Sequence, residues 1–386
     1  MKRAIPFARP WLGDPEVEAA RRVILSGWVT QGPEVAAFER EFAATVGADH
    51  ACAVSSATAA LHLALLAVGV APGDEVITVS HSFIATANAV RYCGATPVFV
   101  DVEPGTYNID PRQLQAAVGP RTRAVLCVHQ LGMPCDLEAI GAFARARSLP
   151  LVEDAACAAG SEVRIGRAWE RIGRPHGDVA CFSFHPRKVI TTGDGGMLTT
   201  RDAGLDAKFR GLRQHGMSVP DTVRHASPDV LIETYSELGF NYRMTDIQAA
   251  VGREQVKRLP EMVARRRALA ARYHERLAGC PTVRVPNEPE FARSNWQTYC
   301  VILDDRLDQR AVMQHMLDAG VPTRRGVMCA HREGAYPAGT WRAAAALTTS
   351  EQIQDHGVAL PLYHDMTPAE QDVVVAALQA ACAAAD

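Results

Sequence analysis

Reactive and polar side chains follow four short apolar segments of this chain, at points where strands of a predicted sheet would end. The segment Val179–Ser183 leads into a polar turn that carries Lys188, and the glycine-rich run Gly193–Gly196 comes soon after it. A lysine presented from such a turn can form an imine with a carbonyl carbon. The alternative for a single lysine is an ordinary surface position, so its meaning depends on the other three strand ends.

A carboxylate ends the second apolar segment, where Leu151–Val152 runs into Glu153 and Asp154. Burying a carboxylate at the end of a central strand costs free energy unless a cation pairs with it. A protonated pyridine nitrogen would be a suitable partner, because the pairing keeps the ring electron-poor. The competing interpretation is an acidic cap at the start of a helix.

The two remaining strand ends carry small hydroxyl residues and an aromatic ring. The run Ser55–Ala60 follows an apolar segment and opens a helix, so its backbone amides could bind an anion such as phosphate. Ser80–Phe83 follows the segment Glu75–Val79, and the Phe83 ring could stack on a flat heteroaromatic group. The alternatives are a plain helix cap for the first run and ordinary core packing for the aromatic ring.

The elements that would position these groups alternate in type along the first half of the chain. Short, continuously apolar segments are separated by segments with helical periodicity, which indicates a parallel sheet covered by helices on both faces. Ligands bind beyond the carboxyl ends of the strands in such sheets. A phosphate cup, a stacking ring, a carboxylate and a lysine would therefore meet at one edge, and together they suit pyridoxal phosphate (PLP).

The length of 386 residues and a change of pattern in the second half predict two domains. Residues 245–277 have the composition of a long helix, which we expect to break at Pro260. We place a large α/β domain at residues 1–255 and a smaller C-terminal α+β domain at residues 256–386.

Composition and charge exclude several classes of protein. The formal net charge of -3 is too close to zero to indicate a nucleic-acid partner. No apolar run approaches the length of about 18 residues that spans a membrane, and Met1–Asp14 has no apolar segment of signal-peptide length. Ten cysteines occur singly, which favours reduced thiols in the cytoplasm. No histidine has a partner at metal-ligand spacing and no glycine-rich dinucleotide motif is present, so we predict neither a metal site nor a dehydrogenase.

Five motifs resemble those of the DegT/DnrJ/EryC1/StrS sugar aminotransferases, a family of fold type I PLP enzymes related to aspartate aminotransferase. The two most specific are Ser183–Lys188 with Gly193–Gly196, which is similar to S-F-H-P-x-K…G-E-G-G, and Gly239–Met244, which is similar to G-Y-N-Y-R-M. The other three lie at residues 27–33, 56–62 and 83–88. The similarity extends over nearly the whole chain.

The resemblance implies a fold, a reaction and two central roles. The large domain would contain a mixed, mostly parallel, seven-stranded-type sheet, and the chain would work as a homodimer with active sites at the interface. An amino group, usually from glutamate, would pass through PLP to the keto group of a nucleotide-linked sugar. Lys188 would form the Schiff base and shuttle the proton, and Asp154 would pair with the pyridinium nitrogen.

The resemblance also assigns the remaining contacts. The residues that would bind the cofactor are Ser56, Ala57, Thr58, Phe83, Asp154, Cys157, Ser183, Lys188 and, from the neighbouring subunit, Asn241. The candidate substrate contacts are Trp28, Thr30, His185, Arg243, Arg325 and His331.

Three departures from the family pattern leave alternative functions open. Ala57 stands where the family usually has glycine, and Cys157 stands where it usually has glutamine or histidine near the 3-hydroxyl of the ring. Residues 323–331 lack the usual aromatic- and proline-rich pattern, and Arg324 and Arg325 there could bind a carboxylate or a diphosphate. The alternatives are a transaminase for a cyclitol or other non-sugar keto acceptor, and a catalytically inactive PLP-binding homologue. Intact Lys188 argues against the second.

Overall fold

The computed structural model of the chain describes residues 5–385, so the outer ends of the two predicted domains lie outside this range. The helices of the described range are α1 (Asp14–Ser26), α2 (Pro33–Val46), α3 (Ala57–Ala67), α4 (Ala85–Tyr92), α5 (Leu114–Ala117), α6 (Leu137–Ala146), α7 (Ala203–Leu212), α8 (Asp221–Ala226), α9 (Asp246–Leu277), α10 (Gln309–Asp318), α11 (Thr348–His356) and α12 (Pro368–Ala385). The strands are β1 (His50–Val54), β2 (Glu75–Val79), β3 (Thr96–Val100), β4 (Thr122–Val128), β5 (Leu151–Asp154), β6 (Glu162–Ile165), β7 (Ala168–Arg171), β8 (Val179–Ser183), β9 (Gly196–Thr200), β10 (Val283–Arg284), β11 (Ala292–Arg293), β12 (Tyr299–Leu303), β13 (Arg324–Arg325), β14 (Arg342–Ala343) and β15 (Gly357–Leu360).

The main sheet has the strand order β1-β9-β8-β5-β4-β2-β3-β14. Strand β9 runs antiparallel to both of its neighbours, and the other strands pair in parallel. The predicted mixed, mostly parallel sheet is therefore confirmed. Seven of its strands come from residues 50–200, and the C-terminal part of the chain adds the eighth, β14, beside β3.

Helices cover both faces of this sheet, as the continuously apolar strands predicted. One face packs against α2, α6 and α9, where Phe38, Phe42 and Leu259 are buried. The opposite face packs against α3, α4 and α7, where Leu63 and Phe209 are buried. The strands are thus inaccessible along their length, and polar side chains can reach solvent only beyond the strand ends.

The long helix α9 runs through Pro260 without a break, so the predicted interruption is wrong. A proline removes one backbone hydrogen bond from a helix, but Leu259, Met262 and Val263 are buried on both sides of it. This tertiary packing opposes the local preference of the proline. The predicted domain boundary at residue 255 falls inside α9 and remains a prediction.

A second, four-stranded sheet with the order β10-β12-β15-β13 follows α9. Its own core contains Tyr273, Tyr299, Val312 and Leu378. Within residues 5–385, no helix combines the length and the apolar character needed to cross a bilayer.

The sequence missed several short elements. The hairpin β6–β7, the helix α7 and the two-residue strands were not predicted. Two-residue strands carry no period that a sequence pattern could reveal, because their pairing depends on residues far away in the chain.

Candidate active site

Four strand ends meet at one edge of the main sheet. Strands β1, β2, β5 and β8 share a direction, so the residues that follow them lie at the same edge. Phe83, Asp154 and Lys188 thereby come together in the described structure. Hydrogen bonds join three of these strand ends: Thr86 after β2 donates to Asp154, the last residue of β5, and Lys188 after β8 donates to Cys157 after β5.

Asp154 is a buried carboxylate without a cationic partner. Its exposed fraction is 5%. Its oxygens accept hydrogen bonds from the Thr86 hydroxyl at 2.8 Å and the Ala156 amide at 3.1 Å, and no lysine, arginine or histidine nitrogen of residues 5–385 forms a salt bridge with it. Burial raises the pKa of Asp154, and the two hydrogen bonds and the positive charge of Lys188 oppose that shift.

A pair of hydroxyl groups leads to this carboxylate. The Ser82 and Thr86 hydroxyl oxygens lie 2.8 Å apart, and the Thr86 hydroxyl donates onward to Asp154. Because Thr86 has one proton and donates it to the carboxylate, the Ser82 hydroxyl must donate to Thr86. The three side chains are buried, so the chain of hydrogen bonds points the carboxylate in one direction.

Lys188 lies in a compact turn after β8. Its backbone amide donates to the His185 carbonyl at 2.8 Å, and its Nζ lies 3.0 Å from the Cys157 Sγ. The Ser183 hydroxyl accepts weakly from the His185 amide at 3.4 Å. Burial and the neighbouring Arg187 lower the pKa of His185, so that its ring is neutral near pH 7.

The predicted phosphate turn opens α3. The Ser56 hydroxyl caps the Ala59 amide at 3.1 Å, and Gly196 of β9 approaches the turn so closely that an added Cβ would lie 2.4 Å from the Ser56 carbonyl. Only glycine fits at this position. The Tyr242 carbonyl accepts from the Ser55 amide at 2.8 Å, which places the segment Gly239–Met244 beside the turn of its own chain.

The predicted cofactor residue Asn241 is exposed, and its backbone pairs with Gln214. Arg243 is half-buried, and its backbone pairs with Val54 at the end of β1. The contribution of Asn241 to the site of a second subunit stays a prediction.

Two of the predicted substrate residues are engaged within the protein. His331 contacts the Ser80 hydroxyl at 2.6 Å and Glu351 at 3.0 Å, so both of its ring nitrogens have partners. Arg325 is exposed on β13 and pairs with Glu333 at 2.9 Å.

The predicted residues near α2 lie in the preceding loop. The Trp28 indole donates to the Gln31 carbonyl at 3.2 Å, and the Thr30 carbonyl accepts from the Asp246 amide at 3.1 Å. The carboxylate of Asp246 in turn accepts from the amides of Gly32 and Val35, so α9 fixes the position of this loop.

Sequence reasoning missed Thr86 and Ser82 as site residues. The only available signal was their position next to Phe83, at a strand end and in the first turn of the following helix. A hydroxyl in that position is as typical of a helix cap, so only the tertiary contact with Asp154 reveals its role.

The residues at this edge fit PLP. A buried carboxylate that lacks a cation suits a protonated ring nitrogen, and Phe83 leaves 56% of its surface exposed next to it. A capped helix N-terminus is suited to a phosphate group, and Lys188 provides an amine at the same edge. Among residues 5–385, no group of three His, Cys, Asp or Glu side chains is arranged to hold a metal ion.

Comparison with known proteins identifies relatives along the whole chain. The sequence profile of the DegT/DnrJ/EryC1/StrS aminotransferase family matches residues 11–379. The spore coat polysaccharide biosynthesis protein SpsC of Bacillus subtilis (strain 168) is 43% identical over 302 residues, which are 78% of this chain and 76% of SpsC.

Solved structures agree with these matches. The aminotransferase TlmJ from Streptoalloteichus hindustanus is 36% identical, with a TM-score of 0.89 over 98% of this chain and 99% of TlmJ. DesV of S. venezuelae is 34% identical, with a TM-score of 0.88 over 99% of both chains.

Replacing Thr86 tests the hydrogen bond to Asp154. Thr86→Val should lower kcat/KM roughly tenfold or more, because a hydrogen bond to a charged group contributes about 1.5–3 kcal/mol. Loss of this bond raises the pKa of Asp154 further, so the acid limb of the kcat/KM profile should move to higher pH. Thr86→Ser retains the hydroxyl and should keep both the wild-type kcat/KM and the wild-type position of the acid limb. A Thr86→Val profile that superimposes on that of the wild type would contradict this role.

Proposed function

The chain belongs to the DegT/DnrJ/EryC1/StrS aminotransferase family, and from this membership we propose that it moves an amino group from glutamate to a nucleotide-linked keto sugar. It is a PLP-dependent aminotransferase. The observation that carries the proposed site is the buried Asp154 carboxylate, which lacks a cation and lies at the same sheet edge as Lys188.

Each part of the cofactor has a residue that would hold it. When bound, PLP accepts the amino group of the donor at its aldehyde carbon and delocalises the electrons of the broken C–H bond into its ring. Asp154 would keep the ring nitrogen protonated, and Thr86 would hold that carboxylate in its charged form. Phe83 would pack on the ring, and the turn at Ser56–Thr58 together with Ser183 would bind the phosphate.

Lys188 would carry the proton that the reaction must move. Its Nζ would take the proton from the α-carbon of the donor and deliver it to C4′, the aldehyde carbon of the cofactor. The lysine would thus act first as general base and then as general acid. The Cys157 thiol lies 3.0 Å from this nitrogen and would hold it in place between the two transfers.

An anionic acceptor is supported by two cationic side chains near the site. Arg187 is exposed one residue before Lys188, and Arg243 is half-buried beside the end of β1. Neither guanidinium forms a salt bridge within the described range, and guanidinium groups bind phosphates in a bidentate manner. The relative SpsC acts in polysaccharide biosynthesis, as its name states, which also supports a sugar.

A homodimer is supported by exposed apolar side chains next to the site. Val230, Ile232 and Leu238 are exposed by 91%, 83% and 86%, and they lie directly before the Gly239–Met244 segment. Large apolar side chains that are this exposed and this close in sequence are typical of a protein interface. The ten cysteines are all unpaired thiols, which supports the proposed cytoplasmic location.

Borohydride reduction of the holoenzyme tests the role of Lys188. Peptide mapping should place the pyridoxyl label on Lys188 alone, and Lys188→Ala should lose the label and lower kcat by about 10³-fold, because proton transfer by a positioned group contributes 10²–10⁴-fold. Lys257→Ala, which removes a surface lysine paired with Glu254, is the matched control and should keep both. A label on any other side chain would disprove the assignment.

A panel of acceptors tests the proposed substrate. With glutamate as donor, a nucleotide-linked keto sugar should have a much higher kcat/KM than the same keto sugar without phosphate or a cyclitol ketone. Arg187→Gln should raise KM for the nucleotide-linked acceptor roughly tenfold, as expected for the loss of a charge-assisted bond, while Arg167→Gln on the β6–β7 turn should not. Equal rates for all three acceptors would exclude nucleotide recognition.

The state of assembly tests the proposed interface. Leu238→Asp should convert the dimer into monomers in sedimentation velocity and lower the affinity for PLP, because a buried charge in an apolar interface is costly. Leu317→Asp, at a leucine on α10 that is 53% exposed, is the control and should remain dimeric. A Leu238→Asp protein that stays dimeric would refute this interface.

A further inference from the structure

One short segment after α9 crosses the ends of three neighbouring strands. We call Ser294–Gln297 the clamp segment. The Ser294 hydroxyl donates to the Gly132 carbonyl at 3.0 Å, in the turn after β4. The Asn295 amide donates to the carbonyls of Cys157 and Ala159 at 2.8 and 2.9 Å, in the turn after β5. The Gln297 amide donates to the Arg187 carbonyl, in the turn after β8.

Two of the three turns carry residues of the site. Strands β4, β5 and β8 are adjacent in the sheet. The turn after β5 carries Cys157, and the turn after β8 carries Lys188. The Lys188 Nζ and the Cys157 Sγ are 3.0 Å apart, so a shift of either turn changes this contact.

The clamp segment is itself rigid. Asn295 is fully buried, its Oδ1 accepts from the Gln297 backbone amide at 2.8 Å, and its own backbone amide donates to the Ser161 hydroxyl at 2.9 Å. Trp296 between them has a φ of 51°, which non-glycine residues adopt only when their surroundings enforce it. Its ring is buried against His274 and Tyr299. Little conformational freedom is left in the two amide side chains.

The clamp segment also lies very close to the turn after β4. Gly132 has a φ of 95°, and a Cβ at this position would lie 2.1 Å from the Asn295 Oδ1. Only glycine permits the segment to lie this close to the sheet edge. The absence of a side chain at Gly132 therefore leaves the space that the Asn295 side chain occupies.

We propose that Asn295 and Gln297 are positioning residues whose amides fix the turns of Cys157 and Lys188 relative to each other, and so set the approach of the Lys188 Nζ to the aldehyde carbon of the cofactor. The inference rests on the proposed function of Lys188. Neither residue touches the reacting atoms. Both belong to the part of the chain that follows α9, so the placement of that part on the sheet directly controls the geometry of the lysine.

Amide deletions in the holoenzyme test this inference. Asn295→Ala removes both bonds to the β5 turn, and Gln297→Met removes the donor to Arg187 while keeping the length of the side chain. The matched control is Gln309→Ala, since the Gln309 amide also donates to two backbone carbonyls, those of Gln354 and Gly357, but does so away from the site. For each variant we would measure thermal stability, the pH midpoint of the absorbance change of the bound cofactor, and kcat and KM for the donor.

The expected result separates positioning from mere stabilisation. Asn295→Ala and Gln297→Met should shift the pH midpoint of the absorbance change and lower kcat up to about 10²-fold with little change in KM, because small misplacements of a reacting group have effects of this size. Gln309→Ala should lower thermal stability alone. If Gln297→Met is folded and keeps both the wild-type midpoint and kcat, the inference is wrong, even if Asn295→Ala proves too unstable to study.

A separate measurement distinguishes this failure from failure of the proposed function. Borohydride labelling of the wild-type holoenzyme must fall on Lys188. If it does not, the function assigned to Lys188 fails and the inference fails with it. If the label is on Lys188 but the two amide variants match Gln309→Ala, only the positioning role is refuted.

Discussion

The site depends on one buried carboxylate that no cation of the described residues neutralises. Asp154 and its neighbour Glu153 end the same strand, and their side chains point to opposite faces because strand residues alternate. Glu153 is fully engaged: it contacts His129 at 3.1 Å and accepts from the backbone amides of His176 and Gly177. Within residues 5–385, Asp154 has two neutral donors and no cation. One carboxylate stabilises the fold, and the other is available to a cationic ligand.

A buried carboxylate that has no cationic partner lowers the stability of the fold, so hydrogen bonds from its surroundings must stabilise its charge. The hydroxyl of Thr86 and the amide of Ala156 stabilise the charged form, and the strands on either side hold the residue in register with Val128 and Cys181. Bound PLP would supply the missing positive charge. Cofactor binding and stability of this sheet edge are for that reason coupled.

The second half of the chain does more than form its own sheet. Its strand β14 extends the main sheet beside β3, its His331 bonds to Ser80 after β2, and its Asn295 and Gln297 hold the turns after β5 and β8. The C-terminal part thus contacts nearly every strand end that contributes to the site. Geometry at the lysine is a joint property of the two halves, although the reactive groups all come from the first.

The sequence by itself determined the alternating strands and helices, the covered parallel sheet and the strand-end positions of Asp154 and Lys188. These follow from periodicity, from apolar runs and from local motifs, which depend only on neighbouring residues. It misjudged α9 at Pro260, where long-range packing overrides the local preference of one residue. Only the tertiary structure decided that Thr86 bonds to Asp154, that Cys157 faces the lysine amine, and that Asn295 reaches across from residues more than a hundred positions away. Such contacts join segments whose local sequences have no bearing on one another, so no pattern within either segment could have predicted them.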